Sequence, residues 1–236
     1  MAQSVGNAKN ILVGASPLFL SNVDINDSDY IANAEAGVAI SAGATTVGVP
    51  AFASGASYAT TLNGVTQTAG LFGYRNVGFT NNGLQITYNP TFDSVTVDQL
   101  LDTAKLFKSA MEVMIATEMS EGTLENIVTV FGQSSSTLSA VTGTGATAKQ
   151  ELGLAAGSLG AAPTERQLIA VGQAPTASST SSERVYYARR VLSVQQSQFS
   201  LARTTPTTFP VTFRLLPDAN YSGSEYGKII DRVLVA

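Results

Sequence analysis

The segment Asp24-Ile25-Asn26-Asp27-Ser28-Asp29-Tyr30-Ile31-Ala32-Asn33-Ala34-Glu35 has oxygen-bearing side chains at loop positions one, three and five, an aliphatic residue at eight and a glutamate at twelve. That is the spacing with which a short loop wraps a calcium ion, and it makes Asp24, Asn26, Ser28 and Glu35 the candidate ligands. Asp29 occupies the position where the sharp turn calls for Gly, and the preceding Pro17-Leu18-Phe19-Leu20 is no convincing helix. The segment therefore reads as a solvated acidic loop between strands, with no metal expected. Glu118, Glu121 and Glu125 are a second grouping, and paired carboxylates can share acid/base work. Helix N-termini collect acids for dipole reasons alone, and Thr123 beside them can cap, so a structural role is expected here. Arg184, Arg189, Arg190 and Arg203 form the basic cluster, interleaved with Tyr186 and Tyr187. Nucleic-acid readout wants more positive charge than the chain offers, so salt bridges to acidic neighbours, within or between subunits, are expected of them. Gly153, Gly157 and Gly160 do not open a helix after a strand, which excludes a phosphate loop.

Composition removes most other chemistry. The 236 residues contain no His and no Cys, so imidazole relays, thiolate nucleophiles, disulfides and the usual zinc, haem and iron–sulfur ligand sets are gone. An enzyme would have to work with carboxylates, Lys or Tyr, and none is expected, nor any cofactor. Net charge is −4, and charged residues are 13% of the chain against about 25% in an average soluble domain. The deficit is local: from Ala36 to Phe92 the one charged residue is Arg75. With 44% hydrophobic residues a sizeable core is available and disorder is not expected. Lys9 followed by Ile11 to Leu20 has the rough outline of a signal segment, but Pro17 interrupts it and no small-x-small site follows, so an N-terminal strand pair joined at Ser16-Pro17 is expected instead. No stretch has the Leu/Ile/Phe run of a membrane-spanning helix.

The elements that must position these residues are mostly strands. Short β-compatible runs broken by Gly and Pro fill 36–74. Val77–Thr80 and Leu84–Tyr88 flank Asn81-Asn82-Gly83, whose Asn-Gly pair predicts a tight hairpin; Pro90 is expected to end that pairing, with Thr91–Val97 as the next strand. Leu100–Lys108 fits either helical spacing or strand–turn–strand around Asp102-Thr103. Met111–Met119 alternates as a half-buried strand, and Thr123–Gly132, with acids first and Gly last, is the best helix. Residues 133–163 are rich in Ser, Thr, Gly and Ala and read as a projecting loop or ordered insertion. Strands return at Gln167–Val171, Arg184–Gln195, Phe199–Arg203, Phe209–Leu216 and Ile229–Val235. The expected fold is a single domain over 1–236, mainly β, a β-sandwich or partial barrel with one packed α-helix.

The order of these features resembles one family. Thr96-Val97-Asp98-Gln99, Lys105-Leu106-Phe107-Lys108, the run from Met111 to Glu121 and Thr123-Leu124-Glu125-Asn126-Ile127 are similar to the major tail tube proteins of long-tailed bacteriophages. In that family strand, turn and strand lead into a single helix through an acidic Ser/Ala-Glu-x-Thr-Leu-x-Asn-like junction. Phe209–Asp218, Tyr226–Asp231 and the opening Ala8–Ala15 resemble its other strands, so that about half the chain is covered; 36–74 and 133–163 align with nothing in it. The resemblance implies copies closing into a hexameric ring around a shared β-barrel, with rings stacking into a tube that conducts the genome. It implies contacts with tape measure, terminator and tail-tip proteins, DNA that passes without binding, no membrane, and a place in the virion tail after assembly in the host cytoplasm. By the same resemblance Glu112 and Glu118, on the less apolar face of Met111–Met119, are candidates to face the lumen, and the four arginines are candidates for bridges between subunits. Strand edges that need covering, and weak negative charge that will not hold a phosphate backbone, fit this picture. A capsid decoration protein or a secreted β-sandwich adhesin shares the composition; a carboxylate glycosidase is disfavoured by the absence of Trp, the usual sugar platform. The charge-poor stretch then reads as surface to be covered by neighbouring subunits.

Overall fold

A computed structural model describes residues 16–21, 61–62, 65–66, 74–100, 102–156, 159–160, 163–174, 182–194, 198–199, 201, 203–204 and 206–233. The strands in chain order are β1 (Leu18–Ser21), β2 (Thr61–Leu62), β3 (Val65–Thr66), β4 (Tyr74–Asn76), β5 (Thr80–Thr96) and β6 (Thr103–Met119). After them come the helix α1 (Leu124–Val130), β7 (Arg166–Gln173), β8 (Ser182–Ser193), β9 (Phe209–Leu215) and β10 (Gly227–Val233). Over the described residues the protein is mainly β with one α-helix. β2 and β3 pair with each other, and the rest form one antiparallel sheet in the order β4-β1-β7-β8-β9-β6-β5, with β10 also on β8. A β-sandwich or partial barrel was expected; the main sheet is a single antiparallel one that bends round one core and is not closed into a barrel. The acidic segment Asp24–Glu35 and nearly all of 36–74 lie outside the described residues.

The bend follows from connectivity. β4 and β5 stand at opposite ends of the strand order, yet only Val77-Gly78-Phe79 join them. A link of that length spans at most about 14 Å, so the sheet's two ends must approach each other. The core then draws on strands far apart in the order: Leu18 and Leu20, Val113, Ile115 and Met119, Leu168 and Ala170, Val191, and the alternate residues Phe209, Val211, Phe213 and Leu215, with Val130 of the helix. In β6 and β9 the predicted period-two alternation appears as observed burial.

A polar clamp fixes the approach. Asn126, wholly buried, donates from Nδ2 to Val77 O (2.9 Å) and Glu121 O (2.8 Å), and its Oδ1 accepts from Arg75 Nη1. Arg75 also reaches Thr129 Oγ1 at 3.1 Å. Glu121 Oε1 accepts from Phe79 N at 3.0 Å and fills the space where a side chain on Gly78 would lie; Gly78 has φ 84°. Thr123 caps the helix by accepting from Asn126 N, and Gly132, at φ 65°, ends it with Gly132 N on Thr129 O and Gln133 N on Val128 O. The helix therefore buries polar Asn126 and Thr129 beside Val128 and Val130, a face broader than the apolar spacing predicted.

Four local expectations change. Asn82 and Gly83 do adopt positive φ, but they form a bulge inside β5 and not a hairpin turn, since the register shifts between Asn81 and Gln85 while pairing with β6 continues. Pro90 does not end the strand, because β5 lies at the edge of the sheet, where a missing N–H can face the unpaired side. Leu100–Lys108 is neither a helix nor a strand–turn–strand around Asp102-Thr103: the turn comes earlier, with Leu100 N on Val97 O, and the strand β6 already runs from Thr103. The described residues of 199–203 form no strand; Phe199 instead stacks between Phe131 and Phe209. Residues 133–156 are ordered, with two short 3-10 turns and bridges Leu138–Leu152 and Thr142–Lys149.

Replacing Asn126 by Ala is expected to lower the unfolding free energy by about 3 kcal/mol, since it strands buried partners on three sides. The check is the urea midpoint at unchanged slope, and a loss below about 1 kcal/mol would show the clamp to be dispensable.

Candidate functional site

Two features shape the surface that matters, the first of them on β8. On β7, Gln167 alone separates the residues paired with Val191 and Ala188, whereas on β8 both Arg189 and Arg190 lie between them, so β8 carries a bulge at its two arginines. At that bulge its other edge changes partner. Ser182–Ala188 pair with β10 and Val191–Ser193 with β9, while Arg189 N bonds Tyr226 O and Leu216 N bonds Arg190 O. Two strands thus share one edge and diverge. An apolar cleft of about 230 Å³ opens at the fork, lined by Tyr186, Ala188 and Leu215, by Tyr226 and Ile229, and from across the roll by Ile86, Tyr88, Val113 and Ile115. Gly227, at φ 146°, stands so close to β8 that a Cβ would lie 1.9 Å from Tyr187 O, so the fork requires glycine there.

The second feature is an arm. β6 pairs with β9 only from Met114 to Met119, whereas its pairing with β5 runs back to Thr103. The far part of this ribbon, Thr103–Ala110 with the β5 residues opposite, extends about 25 Å with no further described strand beside it. Every residue from Thr103 to Ala110 is exposed. Residues on β5 at even positions share the core-side face, so Ile86, Tyr88 and Phe92, with Leu106 of β6, make one apolar stripe from the cleft out along the arm. They are 45%, 66%, 57% and 64% exposed, and Ile229 at the cleft mouth is 66% exposed.

The opposite face is polar where β6 runs beside β9, while out on the arm it carries Val95 and Phe107. Gln85, Thr87 and Asn89 stand beside Glu112, Met114, Ala116 and Glu118, which stand beside Arg214, Thr212 and Pro210. Glu112 lies 3.8 Å from Arg214, and Glu118 accepts a long bond from Asn81 at 3.4 Å. The two carboxylates sit six residues apart on one strand, about 20 Å, too far to act as an acid/base pair. The Glu118, Glu121 and Glu125 grouping also disperses: Glu118 faces outward, Glu121 braces Phe79, and Glu125 offers its carbonyl to Arg75. Among the described residues no group of three acids could hold a metal, and no helix is long and apolar enough to cross a membrane.

The arginines take separate jobs. Arg190 pairs with Glu165 through two bonds of 2.7 and 2.9 Å, and Arg184 with Asp231 through two of 2.6 and 2.7 Å, so both have carboxylates in their own chain. Arg189 is buried; it donates to Ser224 O and lies 3.5 Å over the ring of Tyr221. Arg203 is exposed. Sequence reasoning did not single out Arg75, which burial first and Arg166 second pull down to about 10, still cationic at neutral pH. Nor did it single out the arm or the cleft. The signal for the arm was the exposed-looking pair Lys105 and Lys108 around Leu106-Phe107; the fork leaves none, because it depends on which edge of β8 two distant strands choose.

The hydrogen bonds from Arg184 hold the Asp231 carboxyl below its ordinary value. A depressed carboxylate stabilises the fold above the unfolded value near 4 and loses that contribution as pH falls through the folded one. Asp231→Asn is therefore expected to cost less than about 1 kcal/mol at pH 7, the side chain being half exposed, and the difference from wild type should vanish near pH 2 in denaturant titrations. Glu165→Gln, whose side chain is 9% exposed, is expected to cost about 2–3 kcal/mol. Compared with known protein families and with curated proteins, the chain matches none.

Proposed function

We propose that the protein is a non-catalytic structural subunit of the tail-tube type, which assembles with copies of itself into rings that stack as a hollow tube for passage of a viral genome. The observation that carries this reading is the free outer edge of β5. Seventeen residues of strand at the open side of a bent sheet pair on one side only among the described residues. An edge of that length is unfinished in a monomer and is completed by pairing with a neighbour. Pairing that does not close on itself within a dimer generates rings or filaments. The residues of the acidic junction that the family resemblance picks out, Glu121, Thr123 and Asn126, hold the ends of the sheet together, which gives that motif a physical reason in a protein of this kind. The polar face bearing Glu112 and Glu118, sparse in positive charge, suits a wall that DNA must slide past without adhering. In this reading the subunit works in a virion tail, beside tape measure, terminator and tail-tip proteins, and needs no cofactor.

Negative-stain microscopy of the purified chain at rising concentration is the direct test. Rings or uniform hollow tubes are expected; a discrete closed oligomer would favour a capsid decoration or adhesin protein, and dispersed monomers at high concentration would refute self-assembly. Within assembled particles, Glu112→Lys with Glu118→Lys is expected to slow genome ejection markedly, and normal ejection from well-formed particles would remove the two glutamates from the lumen.

A further inference from the structure

Among the described residues Asn82 is the one non-glycine residue at positive φ, 59°, and Gly83 follows it at φ 67°. The ladder is broken around this pair: Asn81 stands opposite Glu118 and Gln85 opposite Ala116, so Asn82, Gly83 and Leu84 face Thr117 alone. Both residues of the pair are exposed, and apart from its chain neighbours nothing lies within 4 Å of where a Cβ on Gly83 would stand. An asparagine side chain can be attacked by the backbone nitrogen of the residue that follows it. Whether that nitrogen carries a proton, can be reached and can turn decides the rate. The other described asparagines each fail on one of these counts. Ile127 N after Asn126 donates to Thr123 O, Val77 N after Asn76 to Leu18 O, and Tyr221 N after Asn220 to Asp218 O, at 3.1, 3.0 and 3.2 Å. Asn89 precedes Pro90, which has no N–H. Asn81 precedes Asn82, whose side chain crowds the approach. Asn82 precedes a glycine, with no side chain in the way and the widest backbone freedom of any residue.

We propose that Asn82 is a site of self-modification, at which Gly83 N displaces the side-chain amide. Gly83 N bonds to Asn82 Cγ, the bond from Cγ to Nδ2 breaks, and ammonia leaves with the proton that Gly83 N gives up. Water then opens the five-membered imide at one of its two carbonyls. Opening at Cγ leaves aspartate; opening at the main-chain carbonyl leaves iso-aspartate, with the chain rerouted through Cβ and Cγ. Water is the sole co-reactant, and nothing is oxidised or reduced. Iso-aspartate lengthens the main chain by one atom, which a bulge that already sets three residues against one absorbs more readily than a paired strand. Either product adds a negative charge to a polar cleft of about 130 Å³ that Asn82 shares with Gln85, Glu118 and Thr212. Like charges on neighbouring strands oppose each other, so the modification loosens this end of β5 against β6. The reaction needs one chain alone and proceeds whatever the copies assemble into.

The full-length protein is held at about pH 8, sampled over weeks, cleaved with trypsin and read by mass spectrometry. Cleavage after Arg75 and Lys105 isolates a peptide with Asn76, Asn81, Asn82 and Asn89, and parts it from Asn63-Gly64, the same dipeptide outside the described residues. A gain of about one mass unit is expected at Asn82 at least tenfold faster than at Asn76, Asn81 or Asn89. Electron-transfer fragmentation is expected to find iso-aspartate there as well as aspartate. Equal rates at Asn82 and Asn81 would overturn the proposal, and so would aspartate without iso-aspartate, the mark of direct hydrolysis. A gain at Asn82 in the urea-unfolded chain that the folded chain does not show would overturn it too, because the fold would then close the site.

Discussion

The whole arrangement depends on holding together two ends of a sheet that no hydrogen-bonded ladder joins. Asn126 is the centre of that restraint. From one side chain it bonds the link between β4 and β5, the chain entering the helix, and the guanidinium of Arg75. A buried amide with all its groups engaged fixes a geometry more narrowly than apolar packing does, since each bond has a direction and losing any of them strands a partner. The short link between β4 and β5 keeps the two ends near each other, and the restraint fixes how they meet, and with that the shape of the cleft, which has one wall on β5 and β6 and the other on β8 and β10.

From that closure the two faces acquire different characters. The core side of β5 and β6 is covered where the sheet bends over it and uncovered where the ribbon runs past β9, so one face gives core at one end of β6 and exposed stripe at the other, although a register shift between Ala110 and Lys108 moves that face from odd to even positions of β6. Val113 and Ile115 are buried; Leu106, on the same face, is 64% exposed. No rule of local sequence separates those outcomes. They differ only in whether another strand lies alongside.

This is also why the sequence was legible in parts. Alternation located β6 and β9, and capping residues with a terminal glycine located the helix, because those signals are local. The Asn-Gly pair was read as a turn since positive φ is all that a sequence announces; that the chain continues as a bulge depends on β6 lying beside it. Pro90 was read as a stop because a proline's compatibility with a strand is decided by whether the strand is at an edge. The grouped arginines looked like one basic patch, yet a bulge and a change of partner at Arg189 and Arg190 send them to Glu165, Tyr221 and Asp231 separately. Of the candidate residues, the outward placement of Glu112 and Glu118 was readable from period two, while the fork and its cleft were not readable at all.

The proline in β5 has a further consequence, for the crowded interior of a cell making this protein. A long, flat, charge-poor edge is the ordinary nucleus of amyloid, in which every chain adds by the same backbone ladder. Here the Asn81–Gln85 bulge twists one end of the edge, Pro90 interrupts its middle, and register shifts at Thr91/Phe92 and Val95/Thr96 distort the run beyond it. A fibril seeded on such a strand would have to carry a missing donor at each added layer, so the proline that the edge position tolerates disfavours that mode of stacking.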